Sequence, residues 1–164
     1  MNCPIIRIGV VMAGLLATPV IANQKPLQQR QRYQDDPRLG KLKEFFRSWD
    51  SPGEQYAEEF LNAADNYALD WRLLPSICLV ESGCGKDFRN NNVFGWNSCE
   101  TRFPTVRNGI WQVASRLAKS PLYEGKELND ILRTYNPRRR YRQVVRRLMS
   151  SLDPATGLPN QVLD

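Results

Sequence analysis

The chain has 164 residues, a formal net charge of +6 and no histidine. That length suits one domain, and the missing histidine excludes Ser-His-Asp and Cys-His catalysis as well as His-rich zinc sites. Any chemistry falls to carboxylates, Tyr, Ser, Lys or Cys, and the mild positive charge suits either an anionic partner or plain solubility.

The first 22 residues read as a signal peptide. Met1 to Arg7 carries one positive charge, Ile8 to Ile21 is almost wholly apolar, and Val20-Ile21-Ala22 puts small residues where a signal peptidase cuts. The apolar run is about 14 residues, short of the roughly 20 needed to cross a bilayer core; an uncleaved anchor is the alternative. Cys3 precedes this run and is not placed as a lipoprotein cysteine. Cleavage after Ala22 removes Arg7 alone, so +6 becomes about +5. Residues 23–36, rich in Gln, Arg and Lys, read as a flexible linker.

A helical pattern starts at Pro37. Leu39, Leu42, Phe45, Phe46 and Trp49 recur at three- and four-residue steps on one face. Asp50-Ser51-Pro52-Gly53 breaks the chain and supplies a cap for the next helix. That helix turns Tyr56, Phe60, Ala63, Ala64 and Tyr67 inward and leaves Glu54, Glu58 and Glu59 on early exposed turns, where the helix dipole favours them. The segment from Asp70 begins a third helix with Pro75 in its first turn. Ile77-Cys78-Leu79-Val80 makes it apolar around most of its circumference, hence central and buried, and Gly83 and Gly85 end it.

Asp87 to Arg102 is rich in turn residues and holds at most a short hairpin. Helical spacing returns at Val106, Ile110, Val113, Ala114 and Leu117, then at Leu128, Ile131, Leu132 and Tyr135, where Asn136-Pro137 interrupts. The last helix turns Tyr141, Val144, Val145 and Leu148 inward and a set of arginines between Arg138 and Arg147 mostly outward. The reading is all-α, about six helices in a domain over residues 37–152, followed by a frayed tail over 153–164.

Three cysteines remain after cleavage. Cys84 and Cys99 lie in loop-like sequence and are expected to pair, closing a loop of about 15 residues worth roughly 3 kcal/mol. Cys78, inside an apolar run, reads as a small buried hydrophobe. There is no cysteine quartet for a metal.

Glu81 is the residue that composition does not explain. It follows four apolar residues on the most buried helix and precedes a glycine-rich turn. Partial burial disfavours its charged form and raises its pKa, which is what an acid needs to protonate a glycosidic oxygen near neutral pH. A helix-end carboxylate bonded to nearby backbone amides is the plainer alternative.

Four segments stand in a telling order: Trp71-Arg72-Leu73-Leu74-Pro75, Val80-Glu81-Ser82-Gly83, Asn92-Val93-Phe94-Gly95-Trp96 and Thr134-Tyr135-Asn136-Pro137. Together, over roughly Gln55 to Met149, they resemble the lysozyme-like superfamily, and within it the glucosaminidase and lytic-transglycosylase branches. The resemblance implies a peptidoglycan-cleaving fold with Glu81 as catalytic acid and Ser82 as the residue that orients it or the sugar. It implies a cleft wall from Asn92, Phe94, Gly95 and Trp96, and a later pair, Tyr135 and Asn136, whose tyrosine assists Glu81. Trp96 is the tryptophan expected to meet ligand, whereas Trp71 and Trp111 read as core.

Two-carboxylate glycosidases need a second acid. Asp87 reads as a solvated residue, and Glu100 is the possible second acid, in a lobe that looks short. A single-glutamate mechanism is therefore expected, with the substrate's acetamido group assisting departure. Peptidoglycan glycan strands are the expected partner, with no cofactor and no metal, in an exported monomer. The arginine cluster reads as a solvated face or a contact for an anionic wall polymer; no nucleic-acid motif accompanies it. A non-catalytic wall-binding or assembly protein on the same fold is the alternative.

Overall fold

The computed structural model describes residues 33–153. The signal-peptide reading, most of the expected linker and the tail beyond Asp153 lie outside these residues. The fold is all-α. Among the described residues six α-helices follow in order: α1 (Pro37–Ser48), α2 (Ala57–Asn66), α3 (Leu73–Ser82), α4 (Val106–Lys119), α5 (Leu128–Tyr135) and α6 (Arg139–Leu152). A 3-10 turn, Pro52–Tyr56, leads into α2. No strand occurs among the described residues, so the hairpin allowed for Asp87 to Arg102 does not form there.

Local chemistry explains the boundaries. Asp36 caps α1 by accepting the Arg38 backbone N–H at 2.9 Å, with Pro37 in the first turn. Ser51 caps the 3-10 turn through Gly53 N–H, and Thr105 caps α4 through Asn108 N–H. At the end of α3 the chain turns left-handed at Gly83, φ 62°, and the Cys84 N–H reaches back six residues to the Cys78 carbonyl at 3.0 Å. Pro137 stops α5 two residues after Tyr135.

The core gathers the faces that periodicity marked. Leu42 and Phe46 of α1, Phe60 and Leu61 of α2, Leu74 and Ile77 of α3, Ile110 and Val113 of α4, and Val145 of α6 are all buried in one cluster. Helix α3 lies at its centre, packed chiefly on α6 and also on α2. Its buried residues run continuously from Leu73 to Cys78 and resume at Ser82.

Several expectations are corrected. Trp49 falls just past the end of α1, where it no longer follows the helix face, and is 51% exposed. Glu59 is not on an exposed turn: it is 2% exposed, bonded to Trp111 Nε1 and paired with Arg107 at 2.5 Å. Those two donors on α4 compensate a charge that burial would otherwise penalise. The folded part also begins before Pro37, because Tyr33 is 1% exposed and donates to Asp65 at 2.9 Å.

The disulfide joins Cys78 to Cys84, not Cys84 to Cys99. The left-handed turn at Gly83 folds residue 84 back over the helix end, bringing the two Cα atoms to 4.7 Å, within bridging range. Cys99 is a free thiol. A disulfide fits a chain that folds in an oxidising compartment. Among the described residues no helix is long and apolar enough to cross a membrane.

Candidate functional site

The penultimate residue of α3 is Glu81, and its side chain forms part of the floor of an open groove of about 420 Å³. Phe94, Gly95 and Trp96 make one wall, Asn97 and Ser98 continue it, and Tyr123, Tyr135 and Asn136 close the other side. Glu81 is half-buried, and this loss of water raises its pKa above the ordinary value; the nearby Tyr141 hydroxyl pulls the other way, more weakly. Among the described residues, no other carboxylate lines the groove.

Gly95 is required at its position. Its φ is +62°, and a Cβ built there would stand 2.9 Å from Glu81 Oε2. The wall therefore touches the carboxyl through bare backbone, and any side chain at 95 would displace it.

The wall is built by the three asparagines that sequence placed in a turn. Asn90 and Asn91 adopt left-handed backbone and spend their amides on the carbonyls of Cys99, Phe103 and Pro104. Asn92 is buried; its Nδ2 donates to Trp96 O at 2.8 Å and Thr101 O at 3.1 Å, while its Oδ1 accepts Trp96 N–H at 2.9 Å. Ser82 likewise faces inward, donating to Val93 O at 2.7 Å and accepting Gly85 N–H at 3.2 Å. Ser82 fastens the loop to the end of α3, Asn92 ties the loop to itself, and neither lines the groove.

The aromatic residues have distinct duties. The Phe94 side chain is core, edge-on to Phe60, and its carbonyl accepts the Tyr135 hydroxyl at 2.6 Å. Trp96 is half-buried, braced by Tyr135 and Tyr123 at 5.7 and 6.3 Å between centroids and by the Arg116 guanidinium at 5.6 Å. Burial pushes the phenols of Tyr123, Tyr135 and Tyr141 above their ordinary range, so each stays protonated as a hydrogen-bond donor. Asn136, on the rim, accepts Arg138 N–H at 3.1 Å through its Oδ1.

Thus Glu81, Phe94, Gly95, Trp96, Tyr135 and Asn136 come together, while Asp87 and Glu100 are exposed and outside the groove. Sequence reading missed Tyr123, Tyr141, Asn97 and Ser98. Tyr141 was legible only as one inward position of α6, and Tyr123 sits in a turn where no periodicity marks it.

Tyr123 also lines a second hollow, about 350 Å³, between the Tyr67–Leu73 segment, the end of α4 and the start of α5. A larger hollow of about 540 Å³, between α1 and the 3-10 turn, has Glu54 and Glu58 on its rim but no aromatic wall. Among the described residues no group of three His, Cys, Asp or Glu side chains gathers as a metal site.

Chemically, the groove offers one carboxyl whose protonated form is favoured by burial, a wall of phenols and an indole, and neutral amides at the rim. No protein-family model matches the chain, and no curated protein or solved structure matches it.

Proposed function

We propose that this chain is an exported lysozyme-like enzyme that cleaves the N-acetylated amino-sugar strands of peptidoglycan, with Glu81 as general acid. The observation that carries the reading is the half-dry Glu81 carboxyl at the floor of an aromatic-lined groove, its pKa raised by burial. Burial favours the protonated form that a general acid must hold when a glycosidic oxygen arrives.

Glu81 protonates the leaving oxygen, and the acetamido oxygen of the preceding sugar attacks its own anomeric carbon as the C–O bond breaks. Water or an internal hydroxyl then completes a hydrolase or a transglycosylase cycle. The aromatic wall and Asn136 position the sugars, and the arginines near Arg138 suit the carboxylates or phosphates of an anionic wall polymer.

One observation favours a second reading, glycan binding without turnover: no second carboxylate among the described residues shares the groove with Glu81. The full chain and its Glu81→Gln variant are incubated with purified cell-wall glycan, and released fragments are read by mass spectrometry. The enzyme reading expects a loss of about 10²- to 10⁴-fold in product, the usual worth of a general acid. Equal product from both proteins removes Glu81 from the mechanism. No product from either, with retained binding to the wall, establishes the second reading.

A further inference from the structure

Two tyrosines neighbour Glu81, on different helices, and their hydroxyls are committed differently. Tyr135 of α5 gives its proton to the Phe94 carbonyl and so holds the loop. Tyr141, near the start of α6, stacks on Tyr135 with ring planes 13° apart and centroids 6.0 Å apart. It is 9% exposed, and its buried hydroxyl makes no well-formed hydrogen bond; the one group it interacts with as a donor is Glu81. A buried O–H left unsatisfied is uncommon and calls for an explanation. Glu81 is near enough for the Tyr141 O–H to favour its charged form, against the effect of burial.

We infer that Tyr141 is the positioning residue of this groove: its buried hydroxyl, which lies toward Glu81 and is committed to no other group, donates a hydrogen bond to the carboxylate Glu81 becomes on giving up its proton. The inference rests on Glu81 being the acid. As the glycosidic C–O bond breaks, its electron pair goes to the leaving oxygen, which receives the Glu81 proton. The carboxylate keeps the negative charge, and Tyr141 stabilises it without losing its own proton. Burial, with Tyr135 and Glu81 beside it, holds the Tyr141 phenol far above its ordinary range, so it donates and does not ionise. Tyr135, the tyrosine that the resemblance assigned to this role, has already used its O–H. The titratable and charged groups around this carboxyl are Tyr141 on α6, Tyr135 on α5 and Tyr123 from the α4–α5 loop. Cys99 of the α3–α4 loop acts on Tyr135, and Arg116 of α4 is turned onto Trp96.

The test titrates the Glu81 carboxyl by carbon-detected NMR in the full chain and in Tyr141→Phe and Tyr135→Phe variants, beside the pH profile of glycan cleavage. Tyr141→Phe keeps the ring stack and is expected to move the Glu81 midpoint, and the high-pH limb of cleavage, to higher pH. Tyr135→Phe is expected to leave the midpoint in place. In the unsubstituted protein the Tyr141 Cζ resonance is expected to follow the Glu81 midpoint, a readout that needs no variant to fold. A flat Tyr141 resonance, an unmoved midpoint in Tyr141→Phe, or a shift confined to Tyr135→Phe overturns the inference. The midpoint is read without substrate, so a chain that cleaves no glycan refutes the enzyme reading while the Tyr141 contact is still decided.

Discussion

Gly95→Ala would put a methyl group 2.9 Å from Glu81 Oε2 and 3.6 Å from its Cδ, so either the carboxyl or the loop must move. The backbone adds a second cost: at φ +62° an L side chain is strained by roughly 1–2 kcal/mol. The molecule contains its own control. Gly125 has φ +71°, and a Cβ added there would meet nothing within 4 Å, so Gly125→Ala carries the backbone cost alone. Gly125→Ala should lose roughly 1–2 kcal/mol in urea denaturation, or about 4–8 °C of Tm at this size, and Gly95→Ala should lose more, because the contact with Glu81 adds to the backbone cost. Only Gly95→Ala should also lose glycan cleavage, by about ten- to a hundredfold, because it shifts the acid from its working geometry. Combining it with Glu81→Ala relieves the contact, since the nearest remaining atom of residue 81 is Cβ at 3.9 Å. The double-mutant cycle should then show a coupling of at least about 0.5 kcal/mol. Full cleavage by Gly95→Ala, with a stability loss equal to that of Gly125→Ala and no coupling, would refute the claim that the loop backbone sets the position of Glu81.

Two further outcomes follow from charge and covalent structure. Burial raises the Glu81 pKa above its ordinary 4.5, so over the window above that value the folded chain holds more protons than the unfolded one and stability falls as pH rises. Glu81→Gln removes this penalty: in denaturant titrations it should match the parent below about pH 4, gain on it as pH rises through the folded pKa of Glu81, and hold that gain above it, and a variant that instead falls behind as pH rises would contradict the burial argument. Trypsin digestion after alkylation should yield the peptide Leu73–Lys86 two hydrogens lighter and unalkylated, with Cys99 alkylated in Asn90–Arg102; a cross-link between those peptides would restore the pairing expected from sequence. Reduction should cost about 2 kcal/mol, the chain-entropy worth of so short a loop.

Most helices were legible because they repeat apolar residues at helical spacing over two turns or more, as Val106 to Leu117 does on α4, and α3 because its apolar run between Pro75 and Gly83 covers most of its circumference. Glu81 stood out for the same reason, as a carboxylate interrupting an apolar run. What sequence could not show depends on where the chain turns back. The Cys78–Cys84 link needs the left-handed residue at Gly83, and spacing alone does not say that residue 84 returns to the helix it has just left. Glu59 looked solvated because its partners, Arg107 and Trp111, come from a helix about fifty residues away. Ser82 and Asn92 were read as sugar contacts, yet both are consumed by carbonyls of a loop that has no strands to satisfy its own backbone. Tyr33 lay in polar sequence that gave no hint of its burial against α2.

The cystine brackets Glu81, three residues from one sulfur and three from the other. Helix ends ordinarily fray, opening at little cost compared with the middle of the same helix. Here the last turn of α3 is a closed covalent ring, and the acid rides on it. The ring limits how far that turn can unwind, so the carboxyl is denied much of the motion available to a residue at a free helix end. Reduction would free this turn even where the rest of the bundle stays folded, so an oxidising compartment would be a condition for the rigidity of the groove as well as for stability.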